Sequence, residues 1–320
     1  MRIARWGFLL IAVAMLLLSV INASWLAASP GGKLILVAQR GVAQPVDPGA
    51  ARAGCSANIR EPTDMFIENS LFSIDNAIRF GADAIAIDAQ PSADGQIVLF
   101  RDSRLDCRTN GSGPVSARTL AELKTLDIGY GYTADGGRTF PLRGRGVGGM
   151  PSLEQVLTRF RGAILILNLA GDDPHTADLV AAAFARAAVP MDGQIMVRGA
   201  PSVLARMKQL APEARTIDVD RSRRCFDDYL KLGWTTLMPE SCRNTTVIVP
   251  LGDQWKVWGW PNRFIDRMTA AGTKVVLIGA YRDGDIVGLQ RPEQIEKVPQ
   301  AYRGYLWIED MDGVGRALQP

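Results

Sequence analysis

Short apolar runs rich in β-branched residues alternate along the chain with longer segments in which apolar residues recur every three to four positions. The runs predict strands, and the segments between most of them predict helices. The predicted strands are at residues 34–39, 84–90, 97–101, 163–169, 194–198, 215–219, 235–239, 274–280 and 305–309. This alternation is typical of an α/β protein with a parallel sheet.

One connection between predicted strands is too short for a helix. Asp94-Gly95, between the strands at 84–90 and 97–101, is a hairpin signal. The second of these strands should therefore run antiparallel beside the first and bring its end close to Asp88. Without this arm eight strands remain, the number that a TIM (β/α)8 barrel requires.

In such a barrel the functional site lies at the carboxyl ends of the strands. Gln39, Arg40, Asp88 and Asn168 all fall at those ends. A polar, Gly-rich and Arg-rich connection at 127–149 has neither helical nor strand periodicity, and we predict that it forms a lid or wall over the site.

The first 30 residues are predicted to form a segment separate from the barrel domain at 31–320. Arg2 and Arg5 precede an apolar run that is long enough, at about 1.5 Å per residue, to cross a bilayer core. The arginines before the run predict a cytoplasmic N-terminus and an exported barrel.

Two alternatives to this signal anchor stay open: a cleaved signal peptide and a buried soluble helix. Small-residue cleavage sites are present at Asn22-Ala23-Ser24 and Ala27-Ala28-Ser29. The anchor predicts an inner-membrane protein that faces the periplasm, whereas cleavage predicts a periplasmic or secreted one.

Cysteine content agrees with export. The chain has four cysteines, an even number without a C-x-x-C pair. In an oxidising compartment we expect two disulfides, Cys55 with Cys107 and Cys225 with Cys242. Four buried free thiols are the alternative.

The overall composition fits a globular domain without a nucleic-acid partner. Of the 320 residues 47% are hydrophobic, enough for a full core, and the formal net charge is only +3. No basic run with interleaved aromatic residues suggests binding of nucleic acid.

Four short stretches carry the candidate chemistry: Ala38-Gln-Arg-Gly, Ile67-Glu-Asn-Ser, Ala82-Asp-Ala-Ile-Ala-Ile-Asp and Leu99-Phe-Arg-Asp. In order and spacing they resemble the glycerophosphodiester phosphodiesterase (GDPD) family, in an exported bacterial branch. The family pattern is His-Arg-Gly, Glu-Asn-Thr, Glu-Leu-Asp and His-Asp. The resemblance implies a barrel of the phosphatidylinositol-phospholipase-C-like type, a divalent ion held by carboxylates, and two histidines that transfer protons.

The chain departs from that pattern at the catalytic and metal-binding positions. Gln39 and Arg101 occupy the two positions of the family histidines, and Ala86 replaces the glutamate that pairs with Asp88 in metal binding. Asn168 stands where the family has a third acidic ligand. Glutamine does not titrate and arginine stays protonated, so neither replaces a histidine.

These replacements also weaken the implied metal site. Mg²⁺ and Ca²⁺ need several hard oxygen ligands, whereas only Asp88, with Glu68 nearby, remains acidic. We expect no cofactor. A weak Mg²⁺ or Ca²⁺ site at Asp88 is the alternative.

Two arginines predict an anion-binding site. The planar guanidinium groups of Arg40 and Arg101 match a phosphate, so a phosphate, a phosphodiester or a lipid headgroup is the expected ligand, with Glu68, Asn168 and Trp307 also lining its site. Two alternatives remain: Arg101 neutralises an acidic neighbour, and Trp307 packs in the core.

The leading hypothesis is a GDPD-family protein of glycerophosphodiester and phospholipid metabolism that is catalytically impaired and binds phosphate or phosphodiester. One rival is an active phosphodiesterase that uses Glu68, Asp88 and His175, the only histidine, in an unusual arrangement. A solvated position in the first helical turn is the simpler explanation for His175. The other rival is a scaffold barrel without a ligand.

Overall fold

The computed structural model describes residues 2–46, 57–282 and 285–318. The chain divides into two compact units. Unit 1 contains Met1–Ile35, Val219–Ile286 and Glu296–Leu306, and unit 2 contains Leu36–Asp218, Val287–Ile295 and Trp307–Pro320.

Helices and strands alternate over most of the described chain. The helices are α1 (Arg2–Asn22), α2 (Leu71–Arg79), α3 (Leu120–Leu123), α4 (Leu153–Arg159), α5 (His175–Ala187), α6 (Pro201–Leu210), α7 (Val219–Leu232) and α8 (Asn262–Ala270). The strands are β1 (Leu34–Gln39), β2 (Ala84–Pro91), β3 (Ile97–Leu99), β4 (Ile164–Leu169), β5 (Ile195–Arg198), β6 (Arg215–Ile217), β7 (Thr246–Pro250), β8 (Lys274–Ile278), β9 (Ala280–Arg282), β10 (Asp285–Val287) and β11 (Gly304–Ile308).

Unit 2 is built on a parallel sheet in the order β6-β5-β4-β2-β1. Its strands are near-continuous apolar runs because both faces of such a sheet are covered. The register places Gln39 opposite Ala86 and Asp88 opposite Asn168. Four candidate site positions therefore lie side by side on neighbouring strands.

The predicted hairpin of unit 2 is confirmed. β3 pairs antiparallel with β2, with Ala89 opposite Leu99. The Phe100 N–H donates to the Asp88 carbonyl over 3.1 Å. The segment that follows β3, which carries Arg101, therefore begins beside Asp88.

The connection at 127–149 forms an ordered wall of unit 2. The Asp127 carboxylate accepts hydrogen bonds from the N–H groups of Gly129, Gly144 and Gly146 and thereby fixes the loop. Apolar side chains from this connection and from the segment before it form a buried cluster that includes Leu105, Ile128, Tyr132, Leu142 and Met150.

Unit 1 contains the parallel order β7-β8-β11 together with α7 and α8. The prediction of a strand at 235–239 is wrong. The next strand of the parallel sheet along the chain is β7 (Thr246–Pro250). Thr236 has a positive φ of 69°, and the Thr235 hydroxyl donates to the Leu232 carbonyl, so the chain turns there after α7. Local turn geometry overrides the β propensity of the threonines.

The described residues thus contain eight parallel strands. Five belong to the strand order given for unit 2 and three to that given for unit 1. Nothing among the helices of the described chain combines the length and the apolarity needed to cross a membrane. The role assigned to residues 1–30 stays a prediction.

One of the two predicted disulfides is observed. Cys225 and Cys242 are joined in unit 1. Cys107 is disulfide-bonded, and Cys55, its predicted partner, lies outside the described residues.

Candidate functional site

The carboxyl end of β1 brings Gln39 and Arg40 into the site, and the backbone there is strained. Arg40 adopts a positive φ of 61°, its N–H donates to the Ala86 carbonyl, and its own carbonyl accepts from the Asn69 N–H. A Cβ on the following Gly41 would lie 2.6 Å from the Ser73 Oγ, so only glycine fits. Such strain is tolerated where the surrounding contacts fix the backbone.

Glu68 lies between two guanidinium groups. Its Oε2 accepts from Arg40 Nε over 3.0 Å, and its Oε1 accepts from Arg108 Nη1. All three side chains are buried, with at most 6% of each residue exposed. Burial alone would raise the pKa of Glu68, but Arg108 and Arg40 lower that pKa from 4.5 to about 2. Glu68 is therefore a fixed carboxylate.

Each of these two arginines binds a second acidic side chain. Arg40 Nη2 donates to Glu309, and Arg108 Nε donates to Asp102 over 2.8 Å. The Tyr132 hydroxyl accepts from Arg108 Nη1 over 2.9 Å. Burial raises the pKa of Tyr132, so its hydroxyl keeps its proton at neutral pH.

Asp88 is bound by two amides rather than by arginines. Its Oδ1 accepts from Asn168 Nδ2 over 3.1 Å, and its Oδ2 accepts from Asn69 Nδ2 over 3.3 Å. The amide oxygen of Asn69 in turn accepts from the Asp88 N–H. Both carboxylate oxygens therefore already have a donor.

These contacts do not fit a divalent cation. Glu68 gives one oxygen to each of two guanidinium groups, Asp88 faces amide N–H donors, and Ala86 is fully buried without a ligand atom. The described part of the chain contains no group of three His, Cys, Asp or Glu side chains that could bind a metal. We derive no step through an ion.

Arg101 differs from the other two arginines because solvent reaches it. It follows β3 and is half-buried. Its charge also lowers the pKa of Glu68, which places the guanidinium near that carboxylate. Of the three arginines in this region, Arg40 and Arg108 are buried, and Arg101 is half-buried.

Trp307 and His175 have different surroundings. Trp307 is 1% exposed, and its Nε1 donates to Gln39 Oε1 over 2.7 Å. It is therefore both a core residue and a contact of the site. His175 begins α5 with 67% of its side chain exposed, and its Nδ1 lies 3.8 Å from Asp178.

Sequence reasoning missed several residues of this network. Arg108 and Tyr132 come from the segment after β3, and Glu309 follows β11. Asp102 belongs to the stretch Leu99-Phe-Arg-Asp, but its pairing with Arg108 was not expected. Glu309 could have been found, because an acidic residue directly after a barrel strand is a signal for the site. No periodicity marks Arg108, because it lies in an irregular loop.

Two buried polar atoms in this region have no hydrogen-bond partner in the part of the chain that the structure describes: Arg108 Nη2 and Asn168 Oδ1. One is a donor and the other an acceptor. Buried polar groups are usually paired with protein, water or ligand, so the site retains capacity for further hydrogen bonds.

Sequence comparison links this chain to phosphodiesterases. The glycerophosphoryl diester phosphodiesterase family profile matches residues 54–191. The protein Rv2277c of Mycobacterium tuberculosis is 38% identical over 98 residues, 31% of this chain and 32% of that protein. A Bacillus subtilis glycerophosphodiester phosphodiesterase is 36% identical over 96 residues, 29% of this chain and 31% of the relative. The matched segments thus span about a third of these relatives.

Structure comparison shows the fold over most of the chain. A glycerophosphodiester phosphodiesterase from Agrobacterium tumefaciens has a TM-score of 0.58 at 21% identity and covers 89% of this chain and 99% of its own. An Oleispira antarctica phosphodiesterase, solved with the product sn-glycerol-3-phosphate, has a TM-score of 0.56 at 18% identity and covers 89% and 96%. These likenesses confirm the predicted (β/α)8-barrel fold class.

Proposed function

Because the chain belongs to the glycerophosphoryl diester phosphodiesterase family, we propose that unit 2 binds a phosphate or phosphodiester anion beside Arg101 and is impaired in hydrolysis. The observation that carries this proposal is the state of Glu68, whose two carboxylate oxygens are taken by Arg40 and Arg108. A carboxylate held in this way faces a positive guanidinium group at each oxygen, and these charges repel a divalent cation.

Hydrolysis also needs groups that move protons to the leaving alkoxide and from the nucleophile. Gln39 does not titrate, and its amide oxygen is bound to Trp307. The guanidinium group of Arg101 has hydrogen-bond donors only and no acceptor. Tyr132 keeps its proton because burial raises its pKa. These residues bind and orient but do not exchange protons near neutral pH.

The chemistry of three side chains in this region supports an oxygen-rich anion as ligand. Arg101 is half-buried near Glu68, and a guanidinium group suits a phosphate. The unpartnered Arg108 Nη2 suits a phosphate oxygen, and the unpartnered Asn168 Oδ1 suits a hydroxyl donor. Glycerol phosphate, the product named in the Oleispira antarctica structure, combines both groups, and a phospholipid headgroup carries the same chemistry.

A hydrolysis assay tests the catalytic half of this proposal. We expect the purified chain to show no turnover of glycerophosphocholine above the blank with Mg²⁺, Ca²⁺ or Mn²⁺. The comparison variant is Gln39→His with Ala86→Glu and Arg101→His, which restores the family residues at three positions. If the natural chain hydrolyses the substrate and Asp88→Ala abolishes this hydrolysis, the result favours an active enzyme.

A thermal shift titration tests the binding half. Glycerol phosphate should raise the melting temperature, and a chelator should leave the shift unchanged. Arg101→Ala should weaken the shift, whereas Arg104→Ala should not, because the exposed Arg104 pairs with Asp106. If the folded Arg101→Ala variant shows the same thermal shift as the natural chain, the anion binds elsewhere. If no phosphate anion shifts the melting temperature, the barrel is better explained as a scaffold without a ligand.

We further propose that the barrel is exported and either tethered by its N-terminal segment or released by cleavage. The Cys225–Cys242 disulfide supports export, because such bonds persist mainly in oxidising compartments. Cell fractionation with N-terminal sequencing tests this location. Recovery of the chain in the cytoplasmic fraction with reduced thiols would contradict it.

A further inference from the structure

The second half of α1 contains a segment that exposes apolar side chains on every side. Residues 13–17, Val-Ala-Met-Leu-Leu, are five consecutive exposed positions. Since an α-helix has 3.6 residues per turn, five consecutive positions cover its whole circumference. A helix that packs on one protein surface is apolar on one face only, so this segment has no single partner face.

Exposed apolar residues also occur after α1 and around the end of α7, in unit 1. We call them the tryptophan surface and define it as Trp25, Leu26, Leu232, Trp234, Leu237 and Trp258. Trp25 is 82% exposed and Leu237 66%. Soluble monomers rarely expose large contiguous apolar patches, and those that exist usually have a function.

Hydrogen bonds join the end of α1 to this surface. Asn22 Nδ2 donates to the Trp234 carbonyl over 3.0 Å, and Asn22 Oδ1 accepts from Arg267. Ser24 Oγ accepts from the Asn262 N–H over 2.9 Å. The α1 end is therefore integrated into unit 1 by specific polar contacts.

Two indoles of the surface have their polar edge turned toward the protein. Trp234 Nε1 donates to the Lys231 carbonyl, and Trp258 Nε1 donates to the Leu230 carbonyl over 3.0 Å. Each indole N–H is satisfied, while 42% of each tryptophan remains exposed. The exposed part can leave water without breaking a hydrogen bond.

We propose that the end of α1 and the tryptophan surface together form a lipid-contact surface, with the apolar turns of α1 in hydrocarbon and the tryptophans at the level of the headgroups. Tryptophan is enriched at membrane–water interfaces because its ring is amphipathic. A lipid phase contacts a helix on all sides, whereas a protein partner covers one face. The circumferential exposure of residues 13–17 therefore favours lipid over protein.

This inference rests on the proposed tether by the N-terminal segment, extends the lipid contact to unit 1, and uses none of the residues of the anion site. It also opposes cleavage within residues 22–29, because the polar contacts of Asn22 and Ser24 with unit 1 would be disrupted. The folded protein is expected to keep α1.

The test uses the full chain and vesicles of phosphatidylethanolamine and phosphatidylglycerol. We expect co-sedimentation, and about tenfold or greater loss of vesicle affinity in Trp25→Glu with Leu237→Glu. The matched control is Val147→Glu, in unit 2, which changes an apolar residue that is 65% exposed and should leave vesicle affinity unchanged. The glycerol phosphate thermal shift should be the same in all three proteins.

A second measurement needs no substitution of the natural chain. Lipids brominated near the headgroup should quench its tryptophan fluorescence more than lipids brominated near the chain end. Equal vesicle binding by the natural chain and the double variant, or absence of quenching, would overturn the proposal. Concentration-dependent self-association without vesicle binding would also overturn it and assign the surface to a second copy of the chain.

Discussion

The indole of Trp307 donates a hydrogen bond of 2.7 Å to the amide oxygen of Gln39. Trp307 is 1% exposed and Gln39 is 5% exposed, so water does not replace this bond. The bond orients the Gln39 amide at the carboxyl end of β1. Gln39 is thereby part of the packing of unit 2.

We expect Gln39→Leu to destabilise the protein by about 1–3 kcal/mol, the cost of leaving a buried donor without a partner. Urea denaturation measures this change. In a cycle with Trp307→Phe, the double variant should lose less free energy of unfolding than the sum of the two single variants. Additive losses would show that Gln39 and Trp307 are not coupled.

Glu68→Gln should be much more costly. It leaves the Arg40 and Arg108 guanidinium groups buried without their shared carboxylate, and breaking a buried pair from one side costs about 3–5 kcal/mol. Chemical denaturation measures the loss. The control is Glu240→Gln, in an exposed ion pair with Arg243, which should change the free energy of unfolding by about 1 kcal/mol or less.

The depressed pKa of Glu68 predicts an acid dependence of stability. Its value falls from 4.5 to about 2 on folding, so between these pH values the unfolded chain binds the proton and the folded chain does not. The contribution of Glu68 is complete above pH 4.5 and is lost as pH falls toward about 2.

Denaturation series of the natural chain and of Glu68→Gln across this range measure the effect. The difference in free energy of unfolding between them should shrink as the pH falls. A difference that stays constant with pH would contradict the assigned pKa and its origin in Arg108 and Arg40.

Much of the fold could be predicted because strand periodicity and hairpin chemistry are local. β1 begins and ends as predicted, and the antiparallel β2–β3 arm follows from Asp94-Gly95. The error at 235–239 arose because Thr235 and Thr236 favour strands, whereas the observed turn depends on a hydroxyl bond to the end of α7.

The candidate site could be predicted only in part. Residues at strand ends, such as Asp88 and Asn168, were found because the barrel brings those ends together. The role of Glu68 could not be foreseen, since it depends on Arg108 from an irregular loop and on Arg40, whose second partner Glu309 is 269 residues away. Such pairs are set by tertiary packing.

His175→Ala should change neither glycerol phosphate binding nor stability beyond about 0.5 kcal/mol, the usual range for surface positions. The His175 side chain is 67% exposed and lies near Asp178, which already binds Arg206. Thermal shift titration and denaturation of the variant check this expectation. Loss of a metal-dependent hydrolysis in His175→Ala would instead support the active-enzyme alternative.

The Cys225–Cys242 disulfide should be a major source of stability in unit 1. It joins α7 to the turn that contains Cys242 across a sequence separation of 17 residues. By the chain-entropy model, a loop of this length stabilises the folded state by about 3 kcal/mol. Both cysteines are fully buried, so mild reductant should reach the bond only slowly in the folded protein.

We therefore expect Cys225→Ala with Cys242→Ala to lower the free energy of unfolding by about 3 kcal/mol, measured in denaturant without reductant. Reductant added to the unfolded natural chain breaks the same bond. The denaturation midpoint of the natural chain in reductant should therefore match that of the double variant. Non-reducing peptide mapping should recover Cys225 with Cys242 and Cys107 with Cys55. Free thiols at these four positions in protein from its native compartment would refute the pairing and remove the main support for export.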